Sequence, residues 1–331
     1  MSDELDPADF ADAAASAVAQ CARTEGLAAR GAVLAETGLL GLLAPEEVGG
    51  LGLPLRFAVP VLEAAGHGLL GHPLVESVLL AQALATPAPE LAEAISTGAT
   101  VVTVAWSGTA EDGVAGQAPG AVEADHVLLL RADGGAVLVP AGQLTAADDG
   151  GLDLELGTAT VRVTGEVEGV ELPAEAMDAL RGTAKVLRAA FLTGSAARCL
   201  ELAVEHADGW VQFGSPLSAF QALRHRMSRD RLAVETMRNA VLRAVGSAAG
   251  DDLARDAAWL GAAAAAPGVA ESAVQVMGGM GFTWEVPVHR HLRQIRSVVA
   301  HGDAGGDLSA LGARLLEGTT NEWYRDLAHA G

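Results

Sequence analysis

Three textures of apolar and polar positions follow one another along the chain. From Pro7 to about Ala94, Ala-rich segments carry apolar residues at helical spacing, broken at Gly38, Pro45, Gly49, Gly50, Gly52, Pro54 and Pro73. Several short helices are predicted there. The stretch Gly38-Leu-Leu-Gly-Leu-Leu-Ala-Pro-Glu-Glu-Val-Gly-Gly-Leu-Gly52 ends one of them, its glycines permitting the positive φ of a tight loop. From about Thr100 the apolar residues shorten into β-branched runs: Val101 to Trp106, His126 to Arg131, Ala136 to Pro140 and Thr158 to Thr164. Turn residues such as Ala132-Asp133-Gly134-Gly135 separate them, which predicts a small antiparallel sheet. After Pro173 long Ala/Leu/Arg segments run at about 175–208, 216–249, 251–277, 285–300 and 308–329. Helices of this length, broken at Gly214-Ser215-Pro216, Gly250 and Gly278-Gly279-Met280-Gly281, form an antiparallel bundle. The predicted fold is α+β and mostly α, with an N-terminal helical domain over 1–98, a small middle antiparallel β-domain over 99–172 and a C-terminal bundle of four-helix type over 173–331.

Composition sharpens this picture. The 331 residues are 50% hydrophobic but only 4% aromatic, which favours close-packed helices over aromatic binding surfaces. With 42 acidic against 21 basic residues the net charge is −21, so a nucleic-acid backbone is repelled over most of the surface. Cys21 and Cys199 stand far apart with no Cys-x-x-Cys or Cys/His cluster, and read as buried thiols in a reducing cytosol. Asp3, Glu4, Asp6 and Asp9 occupy the region where a secretory signal would be basic, and apolar runs such as Ala257 to Ala266 are much shorter than a membrane span. The expectation is a cytoplasmic protein that binds neither membrane nor nucleic acid.

Candidate chemistry enters with the glycines. Gly278, Gly279 and Gly281, between two predicted helices, let backbone N–H groups approach a diphosphate, and Gln275 one turn earlier can reach the same group. A plain interhelical turn is the alternative. Their order with other segments adds information. Gly38 to Gly52, then Gln212-Phe-Gly-Ser-Pro-Leu-Ser-Ala-Phe-Gln-Ala-Leu223, then Ala273-Val-Gln-Val-Met-Gly-Gly-Met-Gly-Phe-Thr-Trp-Glu285 resemble three successive segments of the acyl-CoA dehydrogenase family, over about residues 30–300. The resemblance implies FAD as cofactor. Gln275, Gly278, Gly279 and Gly281 would contact its ADP half, often on a neighbouring subunit, and Phe213 and Gln221 would line the same nucleotide. Trp106 and Ser107 match the family's flavin-facing loop, with ordinary strand-end packing as the alternative; Phe213, Phe220 and Leu223 also fit core positions at helical spacing.

Departures from the family pattern are as informative. Trp210 stands where an Arg usually pairs with the flavin diphosphate, so a fork-shaped, charge-assisted contact is lost. Ala105-Trp106-Ser107-Gly108-Thr109-Ala110 replaces the usual Thr-Glu-Pro-x-x-Gly-Ser loop. The family's reaction needs a carboxylate to take the α-proton while flavin N5 takes the β-hydride. Matching Glu285, Pro287 and Arg293 without gaps brings the base position to Gly302. Glu317-Gly318-Thr319-Thr320 looks like the Glu-Gly-Thr around that base but lies about 15 residues later, so Glu317 is a candidate base or a solvated helix end. Asp251 and Asp252 fall where a few relatives place the base, and read more naturally as an N-cap and first-turn pair. His289, His291 and His301 lack the spacing of a metal site; Arg290, Arg293 and Arg296 share one side of a helix and suit pairing with acidic neighbours. The resemblance thus implies FAD-dependent α,β-dehydrogenation of an acyl thioester, acyl-CoA or carrier-bound, by a homo- or hetero-oligomer with another acyl-CoA dehydrogenase-like chain, passing electrons to a transfer partner. A short chain with these losses resembles the smaller subunit of heteromeric enzymes. A flavin-dependent oxygenase on the same fold and a non-catalytic structural subunit are the alternatives.

Overall fold

The computed structural model describes residues 6–148 and 150–316. Five helices come first: α1 (Asp9–Cys21), α2 (Leu27–Glu36), α3 (Ala58–His67), α4 (Leu74–Ala83) and α5 (Pro89–Ser96). In α1 the spacing of Ala14, Ala17, Val18 and Cys21 brings all four to one buried stripe. The glycine-rich stretch between α2 and α3 folds back on itself, with Leu51 N–H donating to Gly41 O and Gly52 N–H to Ala44 O.

Seven strands follow: β1 (Val102–Ala105), β2 (Val114–Pro119), β3 (His126–Leu130), β4 (Ala136–Pro140), β5 (Leu144–Asp148), β6 (Thr158–Val163) and β7 (Val170–Leu172). They form two sheets, ordered β1-β3-β4-β7 and β2-β6-β5. A single antiparallel sheet was expected, and this is corrected in one respect: β1 pairs with β3 in parallel, Val104 opposite Leu128, because the chain crosses to the second sheet as β2 before returning. Ala105, Val127, Leu129, Val137 and Val139 on one sheet pack against Ala115, Ala118, Ala159 and Val161 on the other. The opposite face of the first sheet, with Val102, Val104, Leu128 and Leu138, joins the main helical core. That sheet is therefore covered on both sides at its centre, which is why β3 and β4 read as nearly unbroken apolar runs.

The C-terminal helices are α6 (Ala174–Gly209), α7 (Gln221–Val245), α8 (Asp252–Met277), α9 (Val288–His301) and α10 (Ala304–Leu316). The 36-residue α6 is the axis of the molecule, packing on α3, α7 and α8. It meets α3 at reciprocal glycines: a Cβ on Gly66 would lie 1.9 Å from Phe191 O, and one on Gly194 would lie 1.9 Å from Glu63 O. Asp251 caps α8 by accepting from Leu253 N–H at 2.9 Å, the role its position suggested. The break expected at Gly214-Ser215-Pro216 is a small hairpin of β8 (Val211–Gln212) and β9 (Ser215–Pro216), and residues 216–220, expected to open the next helix, form β9's end and a 3-10 turn before α7. Cys21 and Cys199 are buried free thiols. Among the described residues no helix is long and apolar enough to cross a membrane.

Candidate functional site

The residues singled out by sequence divide between two places. The first is one end of the bundle. Ser272 Oγ donates to Asp230 across the antiparallel α7 and α8, and that register brings the start of α7 and the end of α8 to the same end. There the β8–β9 hairpin presents Phe213 at φ +53° and Gly214 at φ +81°. Two left-handed residues make the tight turn whose twist suits a hairpin, yet a Phe in that conformation is strained. Its ring is 92% exposed, touching only the edge of Phe220 at 6.5 Å between centroids. Gln221 opens α7, its amide 3.4 Å from His225 Nε2. Trp210, in the position of the missing Arg, stacks on His206 and is half exposed.

At the end of α8 the three glycines separate by physical role. Gly281 is needed for packing, because a Cβ would lie 2.7 Å from Val274 O. Gly278 is needed for its backbone, at φ +58° and ψ −131°. Gly279 has neither constraint, and a Cβ on it or on Gly278 would meet nothing within 4 Å. Their solvent side is open, with Gln275 exposed one turn earlier. Phe282 and Trp284 beside them are 76% and 72% exposed. This end therefore offers flat aromatic surface, a bare backbone edge and two side-chain amides, which fits a nucleotide-bearing cofactor lying along it. What it lacks is a second wall, since a ligand held only here would remain in water.

The second place is buried, where the N-terminal helices, the sheets and α6 with α9 meet. Trp106 is only 9% exposed. Its Nε1–H donates to Glu76 at 2.9 Å, and its ring carries the Arg188 guanidinium 4.0 Å from the centroid. Ser107, by contrast, is exposed, and its carbonyl crowds Gly116. Beside this stack lies a cavity of about 50 Å³ bordered by His72, Glu76, Asp153, Arg188, Gln294 and His301 among aliphatic side chains. Burial lowers the Arg188 pKa to about 10, opposed by the charges of Glu76 and Asp307, so the guanidinium stays cationic at neutral pH. Burial also lowers His72 to about 3 and His301 to about 4, which keeps both imidazoles neutral. For Asp153 burial raises the pKa, partly offset by the backbone N–H groups of Glu155 and Leu156.

Other candidates are placed as follows. Gly302, the aligned base position, packs so closely that a Cβ would lie 2.3 Å from the Trp259 ring, so no carboxylate side chain fits there. Glu317 lies outside the described residues. Ser195 Oγ and His291 Nδ1 are 2.8 Å apart inside the bundle. Arg290 forms a two-point pair with Glu155 at 2.7 and 2.6 Å, Arg293 donates to Leu152 O, and Arg296 pairs with Glu271. Among the described residues no group of His, Cys, Asp and Glu could hold a metal ion. Sequence reasoning missed Arg188, Glu76, His72 and Gln294. A signal was present for the first two, each being the lone charge in an apolar helical run, Val186 to Leu192 and Leu74 to Ala81.

The chain is similar in sequence and in fold to known proteins. Residues 169–302 match the family profile described as "Acyl-CoA dehydrogenase, C-terminal domain". The chain is 30% identical over 274 residues to acyl-CoA dehydrogenase IpdE2 of Mycolicibacterium smegmatis, covering 81% of this chain and 80% of that protein. It is 34% identical over 328 residues to acyl-CoA dehydrogenase FadE27 of Mycobacterium tuberculosis, covering 86% and 87%. Among solved structures, a chain of the ChsE4-ChsE5 complex from Mycobacterium tuberculosis superposes with a TM-score of 0.82 at 26% identity, over 95% of this chain and 98% of that one.

Proposed function

Given that the chain belongs to the acyl-CoA dehydrogenase family, we propose that it serves FAD-dependent α,β-dehydrogenation of an acyl thioester as one subunit of a hetero-oligomer. Its bundle end forms one wall of a flavin site, and a sister chain of the same family supplies the other wall and the base. The observation that carries this is the exposed aromatic edge at Phe213, Phe282 and Trp284 beside the bare backbone of Gly278 and Gly279. Exposed aromatics clustered beside a candidate site mark an interface. A solved complex of two differently named chains, ChsE4 and ChsE5, is among the structures this chain resembles.

Bound FAD would supply the acceptor for the β-hydride. Gln275 and the amides of Gly278 and Gly279 would meet its diphosphate, with Phe213 and Gln221 along the nucleotide, and Trp210 offers no charge to replace the missing Arg. The close packing of Gly302 on Trp259 supports a base on the sister chain. The same contact favours the second reading, a non-catalytic structural subunit. Purifying the chain alone and together with the longest homologue from the same genome, with flavin absorbance and mass recorded for both, separates these. Yellow protein only in a stable mixture, reduced on adding acyl-CoA, is the expected result. Stoichiometric FAD on the chain alone would end the partner-subunit reading, and a colourless but stable mixture would favour the structural one.

A further inference from the structure

We propose that the buried cavity at the junction receives the hydroxyl-bearing end of an acyl chain, held by Arg188, His72, Gln294 and His301. That the hydroxyl arrives on an acyl chain rests on the dehydrogenase reading above; the preference for a neutral hydroxyl rests on the cavity alone. Arg188 is 6% exposed, His72 5% and Gln294 1%. Arg188 Nη2, both ring nitrogens of His72, Gln294 Oε1 and His301 Nε2 are buried without a hydrogen-bond partner. Buried polar atoms are almost always paired, so four such side chains around one cavity call for something inside it.

The inventory of unpaired atoms defines the occupant. Arg188 can only donate and Gln294 Oε1 can only accept, since the Gln294 amide nitrogen already donates to Leu70 O and Asp153. Neutral His72 offers one donor and one acceptor, while His301, whose Nδ1 meets Ser297 Oγ, offers only Nε2. The occupant must therefore accept and donate through the same small group, which a hydroxyl does. Charge excludes a carboxylate. Glu76 and Asp153 already border the cavity with the single Arg188 cation, and a third carboxylate would leave excess negative charge in a buried site. A volume of about 50 Å³ admits a hydroxyl with one or two carbons against Leu156 and Val298, so the rest of an acyl chain would lie outside it.

Three CoA thioesters of equal acyl length test this by calorimetry on the full chain, alone and in its assembly: hexanoyl-CoA, 6-hydroxyhexanoyl-CoA and adipoyl-CoA. The hydroxylated thioester is expected to bind at least about tenfold tighter than hexanoyl-CoA, because a site built to hydrogen-bond a hydroxyl leaves its own groups unpaired against an alkyl end. Adipoyl-CoA is expected to bind no tighter than hexanoyl-CoA. Arg188→Met and, more gently, Gln294→Leu should erase the preference, bringing the affinities for hexanoyl-CoA and 6-hydroxyhexanoyl-CoA together. Equal binding of all three, or tightest binding of adipoyl-CoA, overturns the proposal. If no thioester binds, the acyl carrier is wrong and the site is tested by thermal shift with ethanol against chloroethane. Stabilisation by the alcohol alone, absent in Gln294→Leu, upholds a hydroxyl site; equal shifts, or none, leave the cavity to ordered water and overturn it.

Discussion

Two regions about 30 Å apart along α6, at 1.5 Å per residue from Arg188 to Gly209, break the same rule in opposite directions. At the junction the interior holds a cation, two carboxylates and two imidazoles around a small cavity. At the bundle end the surface shows Phe213, Phe282 and Trp284 to solvent. Buried polarity without partners and exposed aromatic surface without cover are both costly. The difference between them is in what would relieve the cost: a small group entering the first, a whole second chain covering the second. Local violations of packing logic concentrate at functional places, and here they separate the ligand question from the partner question.

The largest expected effect breaks the junction itself. Trp106→Ala removes the ring beneath Arg188 and the donor to Glu76, and should cost about 3–5 kcal/mol in urea unfolding; a loss under about 1 kcal/mol would mean the stack is dispensable. Next is pH. His72, His291 and His301 are held by burial at about 3, 3 and 4, below the ordinary value of about 6.5 that they regain on unfolding. Their contribution is complete above pH 6.5 and is lost as pH falls toward 4, by up to about 1.4 kcal/mol per histidine per pH unit. Unfolding free energy should therefore drop by roughly 4 kcal/mol between pH 7.5 and 5.5, and His72→Asn should flatten that slope by about one histidine's share.

At the other region, substitution should spare the fold and hurt the assembly. Phe282→Ser or Trp284→Ser is expected to change the stability of the isolated chain by less than about 0.5 kcal/mol. Either should weaken association with the sister chain at least about tenfold, or about 1.4 kcal/mol, in sedimentation or light scattering. Unchanged association would remove these aromatics from the interface. The smallest effect carries a sign reversal: Phe213→Asn should stabilise the isolated chain by about 0.5–1 kcal/mol by relieving the left-handed backbone, while lowering flavin retention in the complex. If stability falls instead, Phe213 belongs to the chain's own core.

What was readable in the sequence follows the range of the forces involved. Helical period, the Asp251 cap and the paired role of Arg290 and Arg296 depend on neighbours within a turn or on simple charge balance, and were legible. Strands β2, β5 and β7 were not, because β2 and β5 interrupt their apolar runs with Gly116, Gln117 or Thr145, and β7 is three residues long with Glu171 at its centre. The parallel pairing of β1 with β3 depends on where β2 goes, which no local pattern encodes. The hairpin at Phe213 lacks the Asn-Gly that usually announces such a turn. For the candidate sites the decisive partners are distant. Trp106 turns inward because Glu76, 30 positions earlier, accepts its N–H, and Gly302 is closed to a side chain by Trp259, 43 positions earlier.

The reciprocal contact of Gly66 and Gly194 has a mechanical consequence. Backbone touches backbone there, so α3 and α6 cannot slide past one another or bulge apart by a side chain's width without losing the fit. Phe191, whose carbonyl seats Gly66, is also a wall of the cavity. The helical wall is thus the stiff half of that chamber. Amide exchange should accordingly be slow along α3 and α6 where they meet, because opening either helix there means parting the two backbones.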